Sequence, residues 1–305
     1  MPILTGSQSE VWYTPETVFG TTPATPTWEQ VCYISSTLGL TKDSIEKGCL
    51  NSTRQVEDSR HGNKQVGGDI VGELDYGNFD DLIEAAMLGT WTANVLEVGT
   101  TFRSFTIERK FLNLTVPEFH RTTGDIINTM AVSVQPNAMV GLTFGVIGKD
   151  LDPATAEVAG SVYSAMTERP PFDSFTGTFN EGGSPSAVIT GVDFTLENGY
   201  EAAFVLGSDT TIQPSDGKCR VTGTLTYFYE SKAIYDKFIN ETESSIDFTL
   251  IDQDGNSMQF EFPNIQYNGG NPDISDEGQV TVTAEFQALY DQAEGTTLKI
   301  TRTPV

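Results

Sequence analysis

Basic residues are scarce in this chain of 305 residues, where 17 Lys and Arg stand against 42 Asp and Glu for a formal net charge of −25. Phosphates are gripped by Lys and Arg, so so acidic a chain is a poor holder of DNA or of an anionic membrane; meeting DNA, it should repel it. The deficit is uneven: residues 1–150 carry 10 basic and 18 acidic groups, net −8, and residues 151–305 carry 7 and 24, net −17. Cysteine is nearly missing. Cys32, Cys49 and Cys219 are an odd number with no CxxC and no nearby His pair, which argues against a disulfide framework and a zinc site and for free thiols in a reduced compartment. No apolar run approaches the span of a membrane helix. The opening MPILTGSQSE lacks the basic start and apolar core of a secretory signal, so the expectation is a chain made and kept in a cytoplasm.

Signatures of chemistry are missing too. The chain holds no nucleophile elbow, phosphate-binding Gly loop, zinc spacing or HExxH. Among 42 carboxylates, pairs such as Asp80 with Asp81 or Asp273 with Asp276 arise by chance and carry no weight as a glycosidase dyad. The sequons at Asn51, Asn113 and Asn240 need a secretory route. The expectation is a protein that is not an enzyme and needs no cofactor or metal.

What is present is a repeat. Asp69–Leu88 returns in divergent form as Arg220–Ile239: at an offset of 151 residues Gly72 falls on Gly223, Leu74 on Leu225, Tyr76 on Tyr227 and Ile83 on Ile234. Val221, Gly223, Leu225 and Tyr227 alternate with Arg220 and threonines, the period of a strand with one buried face. Phe79, Leu82, Ile83, Ala86 and Met87, and Ile234, Tyr235, Phe238 and Ile239, then fit a short amphipathic helix, with Asp80, Asp81 and Glu230 near its start. Ser104–Phe111 matches Ser245–Ile251, and Val140–Lys149 matches Val282–Asp291 with Phe144 over Phe286. This predicts two equivalent β-rich domains of about 150 residues.

Between these matches the chain divides. Residues 1–30, with Pro15, Pro23 and Pro26 among Trp12, Tyr13, Phe19 and Trp28, read as an extended arm that docks. Residues 31–150 form the first domain, 151–183 a linker that Phe172, Phe175 and Phe179 suggest is packed, and 184–305 the second domain. Val31–Leu40, 131–147, Val188–Leu196, Ala202–Leu206 and Val280–Ala288 read as strands, and 111–128 as irregular. Asp252-Gln-Asp-Gly-Asn is a hairpin turn rather than a calcium loop, since it lacks the third acidic ligand and the final glutamate. The long polar stretch 46–68 is either a solvated loop or a contact arm to a neighbouring subunit. Its candidates are Arg54, Glu57, Asp58, Arg60, His61 and Lys64, with His61 before Gly62 a turn residue rather than a ligand.

Five runs in order, PETVFGTTPATPTW (Pro15–Trp28), RHGNKQVGGDIVGEL (Arg60–Leu74), FTIERKF (Phe105–Phe111), the stretch Pro171–Thr211 and KFINETESSIDFTLIDQDGN (Lys237–Asn256), resemble the tail tube proteins of long-tailed bacteriophages. The resemblance implies a mainly β fold of two tandem tail-tube β-barrel or sandwich domains, each with one flanking helix. It implies rings that stack into the tail tube through which genome DNA is ejected, with loops reaching the next ring. Its partners would be further copies of itself, the tail terminator, the tape measure and the distal tail proteins, in a virion assembled in a bacterial cytoplasm. Single-domain relatives form hexamers; the doubled chain suggests a ring of three copies, with six as the alternative.

In that setting the acidic surface gains a use, because carboxylates lining a lumen repel passing phosphates within a Debye length. The polar faces of the matched strands supply candidates: Glu73, Asp75, Asp193, Glu197, Thr222, Thr224, Thr226, Thr281, Thr283, Glu285 and Gln287. The alternative is that these face ordinary solvent. A β-sandwich binding module on a virion surface, recognising carbohydrate or protein, is the competing function.

Overall fold

The computed structural model describes residues 3–49, 54–174, 176–272, 274 and 277–305. Phe175, Asp273, Asp276 and Asn51 lie outside the described residues. The fold is mainly β with two short helices. Its first part runs β1 (Ser9–Pro15), β2 (Thr27–Gln30), β3 (Ser35–Ser36), β4 (Gly39–Glu46), β5 (Ser59–Glu73), α1 (Asp80–Met87), β6 (Val95–Glu97), β7 (Phe105–Phe111), β8 (Glu118–Val134), β9 (Gly141–Gly148) and β10 (Asp150–Ala154). After β11 (Val162–Ser164) come β12 (Thr178–Glu181), β13 (Ser184–Pro185), β14 (Ile189–Glu197), β15 (Arg220–Phe228), α2 (Ala233–Ile239), β16 (Ser244–Ile251), β17 (Ser257–Tyr267), β18 (Thr281–Ala288) and β19 (Lys299–Thr303).

The ladders expose the doubling. In the first part β7, β8, β9 and β5 pair in that order, with β3 and β4 on the far side of β5. In the second, β16, β17, β18 and β15 pair in the same order, with β14 on the far side of β15. The likeness extends outward, since β1 lies on β7 as β12 lies on β16, and β10 lies on β8 as β19 lies on β17. Gly72 pairs with Leu142 and Gly223 with Phe286, so the ladders differ by two residues from the match that sets Phe144 over Phe286. An even shift leaves every side chain on its own face.

The two parts share one sheet. The C-terminal half of β8 pairs antiparallel with β14, from Val134↔Val192 to Thr129↔Glu197. A second tie joins β19 to β6, and Arg302 of β19 reaches Asp80 of α1 and stacks on Trp91, its guanidinium 4.2 Å from the ring centre. The core runs through both parts without a break, from Val66, Ile70 and Phe144 to Phe194, Phe248, Phe260 and Phe286.

Several elements differ from the sequence reading, each for a local reason. Residues 118–134 are one long strand, leaving only 112–117 between β7 and β8. Val31–Leu40 is broken, since only Ser35–Ser36 joins β5 before β4 begins at Gly39. Ala202–Leu206 is not a strand: the Thr211 hydroxyl binds both the N–H and the carbonyl of Ala203, leaving one bridge to Ile212. β7 is buried on both faces, because residues 155–164 strap across its outer face and bring Glu157 to Lys110 and the Tyr163 hydroxyl to Glu108.

The helices are also unequal. α1 buries Leu82, Ile83, Ala85, Ala86 and Met87, and Asn198 of the second part donates to the carbonyl of Ala86. α2 buries no residue fully, and Glu230 precedes it rather than sitting in its first turn. Among the described residues α2 has no counterpart of the cover that β19 and Asn198 give α1. The Asp252 turn is formed as expected, with Asp252 accepting from both the backbone and side-chain nitrogens of Asn256 at 2.8 Å.

Candidate functional site

Strand alternation places one side of the long sheet in the core and leaves the other polar. Following the register across six strands, Glu73, Gly141, Ser133, Asp193, Thr224 and Glu285 form one cross-strand row. The next row toward the opposite end is Val71, Thr143, Ala131, Thr195, Thr222 and Gln287. A third runs Asp69, Gly145, Thr129, Glu197 and Arg220. At about 4.8 Å per strand, a six-strand row spans roughly 24 Å.

Ten of the eleven residues expected on a polar sheet face therefore share it: Glu73, Asp193, Glu197, Thr222, Thr224, Thr226, Thr281, Thr283, Glu285 and Gln287. Thr226 and Thr283 are directly opposite, their hydroxyls 3.4 Å apart. Asp193 bridges the join between the two parts, accepting from Ser133 at 2.5 Å and from Gln135 at 2.8 Å. Asp75 is the exception and corrects the expectation. It lies past the end of β5 and is only 4% exposed, accepting from the backbone and side chain of Asn78. Burial lifts its carboxyl above the ordinary range, against the pull of those hydrogen bonds.

The sequence reading missed Asp69 and Arg220. Asp69 shares the parity of Glu73 four residues on, so the alternation that found one could have found the other. Arg220 is the one basic group in these three rows, opposite Glu197. Apart from Val71, the remaining members are Thr, Ser, Ala, Gly or Gln. Such a surface offers carboxylates and small hydroxyls without a nucleophile, base and orienting partner in contact, and no group of three or more potential metal-ligating side chains occurs among the described residues.

The second feature is the hairpin of β4 and β5. Residues 39–67 hold 5 of the 17 Lys and Arg and 4 of the 42 Asp and Glu, so this arm is net +1 on a chain of −25. Arg54, Glu57, Asp58 and Arg60 are exposed, as is His61, which pairs with Ser44 in the ladder. Lys47 and Glu57 form an ion pair at 2.5 Å across the loop. Lys64 is drawn back onto its own chain, 3.1 Å from Asp150 and 3.6 Å from Asp209. The six residues expected in an intersubunit arm are thus split, five along the projecting end and Lys64 at its root.

The third feature is a pair of sheet edges. The row of strands begins at β3 and β4 and ends at β17, so the polar face is bounded by strands that lack a neighbour along part of their length.

No curated protein matches the chain. A family profile described as "Phage tail tube protein" matches residues 6–288, nearly the whole of the doubled sheet. Covering most of the chain, this match makes it a member of the phage tail tube protein family, a structural component of the virion tail.

Proposed function

We propose that three copies close head to tail into a ring of six quasi-equivalent units, and that rings stack into the conduit for genome DNA. The observation that carries this reading is the ladder between β8 and β14. It joins two units of the same strand order through non-identical edges, a heterologous contact that continues wherever another copy presents the same edge. Closing the circle satisfies the β3 and β17 edges that a lone copy leaves open.

On this reading the polar rows line the lumen, and Glu73, Asp193 and Glu285 form an anionic band repeated around it. The projecting hairpin, with Arg54, Glu57, Asp58, Arg60 and His61, reaches the adjacent ring, where its basic groups meet a mostly acidic neighbour. Tail terminator, tape measure and distal tail proteins would bound the stack.

Electron microscopy and native mass measurement of the purified protein test the proposal. Rings or tubes with three copies per ring support it. Six copies per ring would replace the stoichiometry, and compact monomers at high concentration would remove the ring altogether in favour of a surface binding module.

A further inference from the structure

We infer that the junction between copies is an antiparallel ladder that sets Ser35 of one copy opposite Gln266 of the next, with Ile34 on the edge beside it. This rests on the ring reading and adds to it the surface and the register.

The register comes from the chain's own join. Across the in-chain seam Val132 of β8 faces Phe194 of β14. With Gly72 set on Gly223, stepping through β5, β9 and β8 in the first unit and β15, β18 and β17 in the second places Val132 on Tyr267. Stepping the other way, through β3 beside β5 and β14 beside β15, places Thr195 on Ser35. The same steps set Ser35 opposite Gln266.

Burial sets the closed seam apart from the open edge. Phe194 is 2% exposed, its ring centre 5.1 Å from that of Phe262 and 5.6 Å from that of Phe260. Ile34, next to Ser35 on an edge that has no strand beyond it among the described residues, is 65% exposed. A branched aliphatic side chain left in water at a sheet edge gains by the arrival of a partner strand. Tyr267 is buried within its own copy, its hydroxyl 3.1 Å from Glu181, so it offers a fixed wall.

The two edges are also unfinished as strands. β3 is two residues long, and past Tyr267 the chain Asn-Gly-Gly-Asn-Pro leaves the sheet after Asn268 donates to the carbonyl of Glu285 on β18. On the other side β16 pairs with β17 only as far as Ile265, so Gln266 and Tyr267 carry no ladder there among the described residues. The in-chain seam is reinforced by β6 on β19, and β6 lies in the 88–104 connection between α1 and β7. Between α2 and β16 only residues 240–243 intervene, so the junction between copies has no such second tie and depends on this ladder.

A cysteine pair tests the register. On a background of Cys32→Ala, Cys49→Ala and Cys219→Ala, Ser35→Cys and Gln266→Cys are introduced together and singly, and the assembled protein is oxidised. Directly opposed residues on antiparallel strands have β-carbons about 4.5–5.5 Å apart, close enough for a disulfide after small adjustment. Covalent dimers and trimers on non-reducing gels from the double variant, with monomers from each single variant, are expected. Rings or tubes seen by microscopy without that cross-link overturn the register and leave the ring reading standing. A wild-type chain that never assembles overturns both. Should the cysteine variant fold poorly, Ile34→Asp replaces it, since Ile34 is exposed in the free copy. It should leave the monomer's melting temperature unchanged and cut the assembled fraction at least tenfold, whereas assembly equal to wild type would refute the inference.

Discussion

Gly72 and Gly223, the pair that first marks the repeat, are explained by what sits above them. A β-carbon on Gly223 would lie 2.5 Å from the carbonyl oxygen of Asp193 and 2.5 Å from the tip of the Phe286 ring. On Gly72 it would lie 2.7 Å from the carbonyl oxygen of Cys32 and 3.0 Å from the tip of the Phe79 ring. Each glycine lets an aromatic ring rest on bare backbone beside the neighbouring chain, and a methyl group there would overpack a dense core. Gly223→Ala should therefore cost about 1–3 kcal/mol, read as a lower urea midpoint with unchanged slope; an unshifted midpoint would mean the strands separate freely. Asp125 gives a prediction of another kind. Burial lifts its carboxyl well above the ordinary carboxylate range, outweighing the hydrogen bonds from the Thr122 hydroxyl and the Ile107 N–H. The folded state thus holds this proton at pH values where the unfolded chain has released it, so Asp125 withdraws stability as pH rises from about 4 through its folded value. Urea midpoints from pH 4 to 8 should show Asp125→Asn gaining on the wild type as pH rises. A constant difference would show that the group titrates alike in both states.

At the scale of elements, the C-terminal strand β19 ties the two units on the side away from β14. Arg302 pairs with Asp80 at the start of α1 and lies over Trp91, both far away in sequence. Arg302→Ala should cost about 2 kcal/mol in equilibrium unfolding, since it removes a charged hydrogen bond and a stacked cation together. A loss below about 0.5 kcal/mol would place the pair among solvent-screened contacts. This tie was illegible in the sequence because its partners stand more than 200 residues apart without a shared motif. The strands with one buried face were legible: β18 alternates as Thr281–Ala288 predicts, and β16 and β14 do the same. β7 was not, because its second buried face depends on the strap at 155–164, and nothing in SFTIERKF announces a cover. Most of the polar face was legible for the same reason as β18. Asp75 was not, since parity carries no information once the strand has ended at Glu73.

At the scale of the whole molecule, the proposed conduit would act on DNA through its charge, and the placement of that charge matters more than its sum. Glu73 and Glu285 stand at opposite ends of one six-strand row, with Asp193 between them. Asp193 is held by Ser133 and Gln135 and cannot be exchanged without loosening the seam. The two glutamates have no such ties on the sheet, so Glu73→Lys with Glu285→Lys reverses the charge while sparing the ladders. In a phage carrying both changes, tubes should form at normal length while DNA release slows and infectivity falls at least tenfold. The paired change to Gln should fall between this variant and wild type, because it removes repulsion without adding attraction. Salt separates this cause from a misshapen tube: the Debye length shrinks from about 10 Å at 0.1 M to about 3 Å at 1 M, so high salt should restore release through a lysine wall. Release in vitro that stays slow at 1 M salt would point to altered shape, and release unchanged at low salt would mean that these rows do not face the DNA.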